Sequence, residues 1–513
     1  MTAQIMPSPA SVVETHTSVL VFLGDRVYKV KKAEDLGFLD FRTRQARLAA
    51  CQAEVALNRR VAPDVYLGVA DVSGPDGQLC DHMVVMRRLP ASRRLSALVT
   101  SGTDVTGVLR DTARLVAAFH TRCDTSTEIT ELGGVKTLRA LWEEGLAGVA
   151  PFLGDPLPAR QVAEIGRLAS RYLDGRGALL AERQQRGLVR DGHGDLLADD
   201  VFCLDDGPRI LDCLEFDQRL RAGDVLADVA FLAMDLERLG RRDLADHFLS
   251  AYREFSGETH PRSLEDFYVA YRAFVRCKVA CIRSAQGDAD AAEQARTLAT
   301  LALSRLRRGR TRLVLVGGLP ASGKSTLAAG LGSAEGWTVL RSDVIRKELA
   351  GLSATTPAPA EPGEGLYRAE MTDAVYTELI RRADVALERG ESVILDASWG
   401  SRRHRRQAAR RALDAAADLI ELRCAVAPEI ARTRIAARME ARTAAGTTTD
   451  GLDGLDGRGR AGGAEGGDGG VSDATVPVLL ELARSADPWP EATTITTTVP
   501  VARTLRTARR LLT

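Results

Sequence analysis

The sequence has no stretch approaching the roughly 18 consecutive apolar residues of a membrane-spanning helix, and Met1 to Ala10 lack the basic-then-apolar order of a secretory leader. A cytoplasmic chain without a membrane partner is therefore expected. Net charge is missing too: 69 basic residues face 69 acidic ones, which excludes general electrostatic attraction to nucleic acid. The eight cysteines include no pair at the two-residue spacing of zinc or redox sites, so reduced, buried thiols are expected. Cys277 and Cys281 would share a helix face, but no metal is expected there. Lysine is scarce. Seven of the 69 basic residues are lysine (29, 31, 32, 136, 278, 324 and 347), so each one is informative.

What is present is the 45% hydrophobic and 27% charged composition of an ordinary globular protein. At 513 residues the chain is about twice the length at which one core stops growing, so two domains are expected. Residues 15–90 alternate short apolar runs with turns, as in Ser18 to Phe22, Gly24-Asp25 and Arg26 to Val30, which reads as an antiparallel sheet interrupted by one helix over 43–60. From 105 to 305 the pattern is mainly helical, for example over 108–120 and 226–238, with a strand-turn-strand passage around 187–217. After the Arg-rich end of a helix over 290–309, short apolar strands alternate with helices. Strands are expected at 312–316, 338–340, 392–395, 419–426 and 493–499, and such alternation predicts a parallel sheet covered on both faces. The chain thus divides into 1–305, an α+β domain, and 306–513, an α/β domain. Residues 444–470 hold Gly, Thr and Asp with almost no apolar residue, which predicts a disordered insertion before a helix beginning near Val476.

In the second domain Leu313 to Val316 leads into Gly317-Gly318-Leu319-Pro320-Ala321-Ser322-Gly323-Lys324-Ser325-Thr326, an apolar strand and a G-x-x-x-x-G-K-[ST] loop opening a helix. Glycines at 318 and 323 let backbone N–H groups wrap phosphates, and the helix N-terminus adds potential favourable to anions. Lys324 would reach the terminal phosphates of ATP, and Ser325 would ligate Mg²⁺. Asp343, after the second strand, would accept the proton of a substrate hydroxyl, or else cap a helix; Asp396, ending the third, would hold Mg²⁺ or serve as a cap or buried pair. Arg434 and Arg438, one turn apart on a helix over 428–442, would close over the transferring phosphate or form a solvated face. Arg402 to Arg406, with Arg410 and Arg411, reads as a solvated face before an anion site.

These motifs, with Ser342-Asp343-Val-Ile-Arg346-Lys, Val393-Ile-Leu-Asp396-Ala and Ser472-Asp473-Ala-Thr, give residues 311–513 a resemblance to P-loop kinases related to gluconate kinase, zeta toxin and chloramphenicol phosphotransferase. The resemblance implies phosphoryl transfer from ATP to a small-molecule hydroxyl. The glycine-rich insertion is a departure from that pattern.

In the first domain Arg190-Asp-Gly-His193-Gly-Asp195 and Asp200 are followed by Leu211-Asp212, the spacing of a kinase catalytic loop and a second metal-binding Asp after a hairpin. Asp195 would take the acceptor's proton, while Asp200 and Asp212 would hold Mg²⁺. Lys29 and Lys31 share a strand face, and Glu54 on the next helix would pair with one of them, with Lys29 contacting phosphate. Together with Gly37 to Phe41, Glu54 to Asp64, Leu211 to Phe216, Asp224 to Phe231 and Tyr271 to Lys278, these residues make 12–305 similar to the aminoglycoside phosphotransferase family, in its bacterial branch fused to a P-loop kinase. The resemblance implies a bilobal protein-kinase-like fold. The chain departs from the family where it has Leu197 and Asp200 in place of His and Asn. A third carboxylate beside Asp195 and Asp212 is expected to raise a carboxyl pKa or weaken ATP binding. That departure motivates a rival reading, an inactive kinase-like sensor governing the second domain.

Overall fold

The protein is described here by a computed structural model, in which residues 10–15, 17–35, 40–354, 356, 364–446 and 475–512 are described. It has two compact units, one built from Met1–Ser170, Leu180–His260 and Leu264–Gly309, the other from Arg171–Leu179, Pro261–Ser263 and Arg310–Thr513. Among the described residues no helix is long and apolar enough to cross a membrane.

Unit 1 opens with β1 (Ser11–Glu14), β2 (Ser18–Leu23), β3 (Arg26–Lys31), α1 (Arg44–Asn58), β4 (Tyr66–Ser73) and β5 (Leu79–Arg87). The strands form one antiparallel sheet in the order β1-β2-β3-β5-β4. Period-two alternation turns Val27, Val84 and Met86 inward against Cys51 and Val55 of α1, whose start is fixed by the Thr43 hydroxyl accepting from the Ala46 N–H at 3.2 Å. Helices follow: α2 (Leu95–Thr100), α3 (Thr106–Arg122), α4 (Thr127–Glu131), α5 (Val135–Val149), α6 (Ala159–Asp174) and α7 (Gly177–Gln185). The strand passage contains β6 (Val189–Asp191), β7 (Val201–Leu204), β8 (Gly207–Ile210), the short α8 (Gln218–Arg221) and β9 (Ala222–Asp224), with β7 pairing β8 and β6 pairing β9. Then come α9 (Val225–Arg238), α10 (Arg242–Ser256), α11 (Arg262–Ala285) and α12 (Ala291–Arg308). Residues Val225 to Leu236 of α9 are all buried, as befits a helix apolar on nearly every side. An antiparallel sheet with one packed helix followed by a helical lobe is the protein-kinase-like arrangement.

Unit 2 contains β10 (Arg312–Gly317), α13 (Lys324–Glu335), β11 (Thr338–Arg341), α14 (Ser342–Leu349), α15 (Ala369–Glu388), β12 (Val393–Asp396), α16 (Arg402–Asp414), β13 (Asp418–Ala425), α17 (Pro428–Gly446), α18 (Val476–Ser485), β14 (Thr493–Thr496) and α19 (Val501–Arg509). Its five strands are all parallel, in the order β11-β12-β10-β13-β14. Leu313, Leu315, Val393 and Leu395 face one core with Leu379 of α15 and Ala408 of α16. Val314, Val316 and Ile394 face the other with Leu327 and Leu331 of α13. Burial on both faces is why these strands are continuous apolar runs. The expected insertion over 444–470 needs one correction: α17 runs through Gly446, and residues 447–474 lie outside the described residues. All eight cysteines are free and, apart from Cys80, buried; the Cys277 thiol donates to the Ala295 carbonyl at 3.3 Å.

The end of β10 is tightly fitted. A Cβ on Gly317 would lie 2.3 Å from Cζ3 of Trp489 and 3.2 Å from Cβ of Trp399. Gly317→Ala is expected to remove about 1–3 kcal/mol from the unfolding transition of this unit by overpacking. Urea unfolding followed by tryptophan fluorescence reads it, since Trp337, Trp399 and Trp489 lie in this unit and Trp142 in the other. An unchanged midpoint would show that the indole ring gives way.

Candidate functional site

In unit 2 the chain leaves β10 through a loop whose backbone requires glycine at two points. Gly318 has φ 137°, and a Cβ there would come within 2.6 Å of the Cys424 carbonyl oxygen; Gly323 has φ 85° and opens α13. Ala321 adopts φ 61° as well, a strained value for a residue with a Cβ. The loop is tied from outside by its carbonyls. Arg434 Nη1 donates to the Ala321 carbonyl at 3.1 Å, and the Thr497 hydroxyl donates to the Ser322 carbonyl at 2.6 Å. Nη2 of Arg434 donates to the Thr497 carbonyl at 3.0 Å. With those oxygens occupied, the amide hydrogens of Leu319, Ala321 and Gly323 and the start of α13 remain for an anion, while that of Ser322 donates to the Leu319 carbonyl at 3.1 Å and Pro320 contributes shape but no donor. Lys324 and Ser325 are half-buried along a cleft of about 190 Å³, with Thr326 at its rim and Arg434 in its wall.

Asp396 ends β12 in register with Val316 and Arg341. Its side chain is buried and its Oδ1 has no hydrogen-bond partner, while Arg341 Nε lies 3.4 Å from Oδ2. Burial pushes its carboxyl above the usual range, against the pull of the Lys324 ammonium and the Ser325 hydroxyl. A buried carboxylate with an orphaned oxygen beside a hydroxyl and an ammonium fits a hydrated cation that also binds phosphate; Mg²⁺ needs only one or two carboxylates when phosphates complete its shell. Asp343 adds its charge to the upward push on Asp396. It stands in the first turn of α14, whose cap position is Arg341, so Asp343 is not the helix cap.

The lid reading needs correcting at Arg434, which is neither a free lid nor a solvated group but is bound to two carbonyls. The side chain of Arg438, like Ser472 and Asp473, lies outside the described residues. One arginine of the α16 cluster is also committed, while Arg402, Arg406, Arg410 and Arg411 are exposed. Arg405, read as part of a solvated face, is buried and donates to the carbonyls of Trp399 and Pro488, each at 2.7 Å, while Arg403 pairs with Asp373 at 2.9 Å.

In unit 1, β3 places Lys29 and Lys31 two residues apart on one face, and Glu54 of α1 meets both. Lys29 Nζ lies 2.9 Å from Glu54 Oε1, and Lys31 Nζ lies 2.7 Å from Oε2. Lys29 also reaches Asp212 Oδ1 at 2.9 Å, and Lys31 pairs with Glu215. Glu54 is fully buried, and burial would neutralise it, but the two ammonium groups hold it ionised below the usual range. Burial likewise opposes the charge of Lys29, yet Asp212 and Glu54 hold it well above an ordinary lysine. The sequence reading gave Glu54 one lysine; the structure gives it two.

Asp212 has φ 63° and its N–H donates to the Tyr66 hydroxyl at 3.1 Å. Lys29 holds its carboxyl below the usual range. Asp200 is the opposite case: burial, then the charges of Asp212 and Asp195, push it well above the usual range, as expected of the extra carboxylate. Asp195 is raised by desolvation, against Arg276 and His193. Three carboxylates with unequal proton affinity, and a lysine held by one of them, fit the cation of a nucleotide whose own phosphates complete the shell. Among the described residues no three His, Cys, Asp or Glu side chains form a metal cluster by themselves.

The loop carrying Asp195 is held by residues to which the sequence reading gave no role. Asp228 of α9 accepts from the N–H groups of His193 at 2.7 Å and Gly194 at 2.8 Å, and from His120 Nε2 at 3.2 Å. Arg60 donates to the carbonyls of Asp191 at 2.8 Å and Gly192 at 2.7 Å, and Arg221 clasps the Asp191 carboxylate. His193 Nε2 bonds the Leu211 carbonyl at 3.0 Å, linking this loop to that of Asp212. Asp228 stands in the first turn of α9, among mostly apolar residues.

Residues 313–453 match the model of an AAA domain. Among solved structures, the chain is similar to a choline/ethanolamine kinase family protein from Mesorhizobium loti (16% identical, covering 58% of this chain and 92% of that one, TM-score 0.37). A gluconokinase from Sinorhizobium meliloti 1021 is 15% identical over 40% of this chain and 93% of its own, with a TM-score of 0.26. Over 425 residues, 83% of this chain and 85% of the relative, it is 42% identical to "Uncharacterized protein Rv2004c" of Mycobacterium tuberculosis, and equally to Mb2027c of Mycobacterium bovis. An identity of 42% over 83% of this chain and 85% of the relative places this protein in the family of Rv2004c.

Proposed function

We propose that the protein is an ATP-dependent phosphotransferase with two nucleotide sites, each passing the terminal phosphoryl group of ATP to a hydroxyl of a small molecule in the cytoplasm. The observation that carries the two-site reading is the double engagement of Lys29, 2.9 Å from both Glu54 and Asp212. It supports a working site because the cation that would meet phosphate is fixed from the helix on one side and from the metal-binding loop on the other. In unit 1 Asp195 takes the proton of the acceptor hydroxyl, and Lys29 contacts phosphate. In unit 2 the amides of Leu319, Ala321 and Gly323, the start of α13 and Lys324 hold the phosphates, Asp343 takes the acceptor's proton, and Arg434 keeps the loop's carbonyls turned outward. Magnesium, when bound, supplies neutralisation of the phosphate charge, and Ser325 with Asp396, and Asp200 with Asp212, are the residues that would hold it. The burial of Arg405 against the carbonyls of Trp399 and Pro488 takes one arginine out of the α16 cluster and supports a small molecule rather than nucleic acid as acceptor.

Asp200 favours a second reading, in which unit 1 senses a ligand without turnover, because a repelled carboxylate weakens the hold on nucleotide. ATP consumption by the whole protein, by Lys324→Ala and by Asp195→Ala, each with sugars, aminoglycosides and nucleosides, separates the two. Each variant is expected to lose about 100-fold or more of the turnover stimulated by a different acceptor. If Asp195→Ala changes nothing while Lys324→Ala abolishes everything, unit 1 is a sensor.

Asp200 also predicts a pH dependence. A carboxyl raised in the fold stabilises it while protonated, and that contribution is lost as pH rises from the ordinary carboxylate range through the raised value. Asp200→Asn removes the repulsion, so the metal-free chain is expected to gain about 2–4 °C in the unfolding of unit 1 at pH 7 and nothing near pH 4. Scanning calorimetry of the two unfolding transitions follows that unit, with unit 2 identified by its tryptophan fluorescence. Equal midpoints at pH 7 would mean that the charge is relieved elsewhere.

A further inference from the structure

Two arginines one turn apart on α11, Arg272 and Arg276, favour the charge of Asp195, and they differ in what they touch. Arg272 is buried, donates to the Ala227 carbonyl at 2.9 Å and lies over the rings of Phe231 and Tyr271 at 4.3 and 5.5 Å. Its position is fixed by backbone and aromatic faces. Among the described residues Arg276 has one ion pair, Nη1 to Asp195 Oδ2 at 3.5 Å, and no hydrogen bond; its side chain is 30% exposed and that of Asp195 33%. The other guanidinium groups around this loop are saturated: Arg60 by the carbonyls of Asp191 and Gly192, Arg221 by the Asp191 carboxylate and the Leu214 carbonyl. Arg276 therefore presents a planar fork of five donors, most of them unused, beside the carboxylate that takes the acceptor's proton.

A fork so placed has a consequence for what can bind. A hydroxyl compound poised at Asp195 sets its neighbouring substituents within reach of Arg276. A carboxylate or phosphate there gains a charge-assisted, bidentate pair and draws the guanidinium away from Asp195, which frees that carboxylate for the hydroxyl. An ammonium in the same place meets the guanidinium and is repelled. Arg276 belongs to neither the strand of Lys29 nor the loops of Asp200 and Asp212, so the nucleotide does not account for it.

We propose that the acceptor of unit 1 is an anion, a hydroxylated compound bearing a carboxylate or phosphate near the reacting hydroxyl, and that Arg276 is the residue that binds this group. This rests on the reading of unit 1 as a phosphotransferase. The step is balanced: the acceptor O–H gives its proton to Asp195, its oxygen forms the new bond to the terminal phosphorus of ATP, and the bond from that phosphorus to the bridging oxygen breaks to release ADP.

The test uses the full chain carrying Lys324→Ala, which silences the P-loop site, and compares gluconate and glucose 6-phosphate with glucose and glucosamine. Binding is measured by calorimetry with a non-hydrolysable ATP analogue, and turnover by ADP release. Gluconate or glucose 6-phosphate is expected to exceed glucose at least about 10-fold in kcat/KM, with glucosamine lowest. Adding Arg276→Gln is expected to collapse that ratio at least about 10-fold, and Arg276→Lys to restore part of it. The gluconate and glucose 6-phosphate arms tell a carboxylate from a phosphate. Equal use of charged and neutral compounds overturns the proposal, as does an Arg276→Gln loss shared by all compounds, which a merely structural arginine would give. If the anions bind in an Arg276-dependent way but no compound is turned over, the anion site stands and phosphoryl transfer fails. If glucose is turned over while neither anion binds, phosphoryl transfer stands and the anion site fails.

Discussion

A carboxylate taken out of water must be paired, and both sites are organised by how that demand is met or left unmet. Glu54 is wholly buried at the junction of α1 and β3, where its two oxygens take Lys29 and Lys31. Through those lysines it reaches Asp212 and Glu215, so five charged groups form an alternating chain from helix to strand to loop. Breaking one link leaves a buried charge unpaired, a state costing about 3–5 kcal/mol in comparable sites. The rigidity of that chain sets where Lys29 can go. In unit 2 the demand is left partly unmet: Asp396 keeps one oxygen without a partner at the carboxyl end of a central strand.

Arginine and lysine divide the work in a way the composition foreshadowed. Arginine, with donors fixed in a plane, anchors backbone: Arg60 holds the catalytic-loop carbonyls, Arg405 those beside the P-loop, and Arg434 those of the P-loop itself. The scarce lysines at 29, 31 and 324 stand at the sites. These three arginines are thus spent on backbone carbonyls, while the lysines meet carboxylates or the mouth of a cleft.

Features that depend on near neighbours in the chain were legible. The P-loop is one continuous segment, so its glycines, Lys324 and Ser325 were readable together, and the alternation of strands and helices after residue 310 gave the parallel sheet. The order Lys29, Glu54, Asp195, Asp200, Asp212 was readable because a known constellation orders those residues along the chain. Contacts made to backbone were not readable. Nothing local in α17 says that Arg434 will find the carbonyls of Ala321 and Thr497, and Arg405 looks like any arginine on a charged helix until Trp399 and Pro488 fold beneath it. Asp228 was obscured because its partners are amide hydrogens, which every residue but proline carries. The glycine-rich segment was misjudged at its start because α17, begun by Pro428, carries helical hydrogen bonding through Gly446.

The hydroxyl of Thr497 has a temporal meaning. It closes on the Ser322 carbonyl from just beyond β14, and a Cβ on Gly323 would lie 3.2 Å from its Cβ, so the phosphate loop is clamped by residues some 170 positions downstream. The matched domain model ends at residue 453, short of that clamp. A nascent chain emerges amino end first. The first unit is therefore complete while the ribosome is still adding the second, whereas the P-loop, held by Arg434 from α17, gains its Thr497 contact only once β14 has left the exit tunnel.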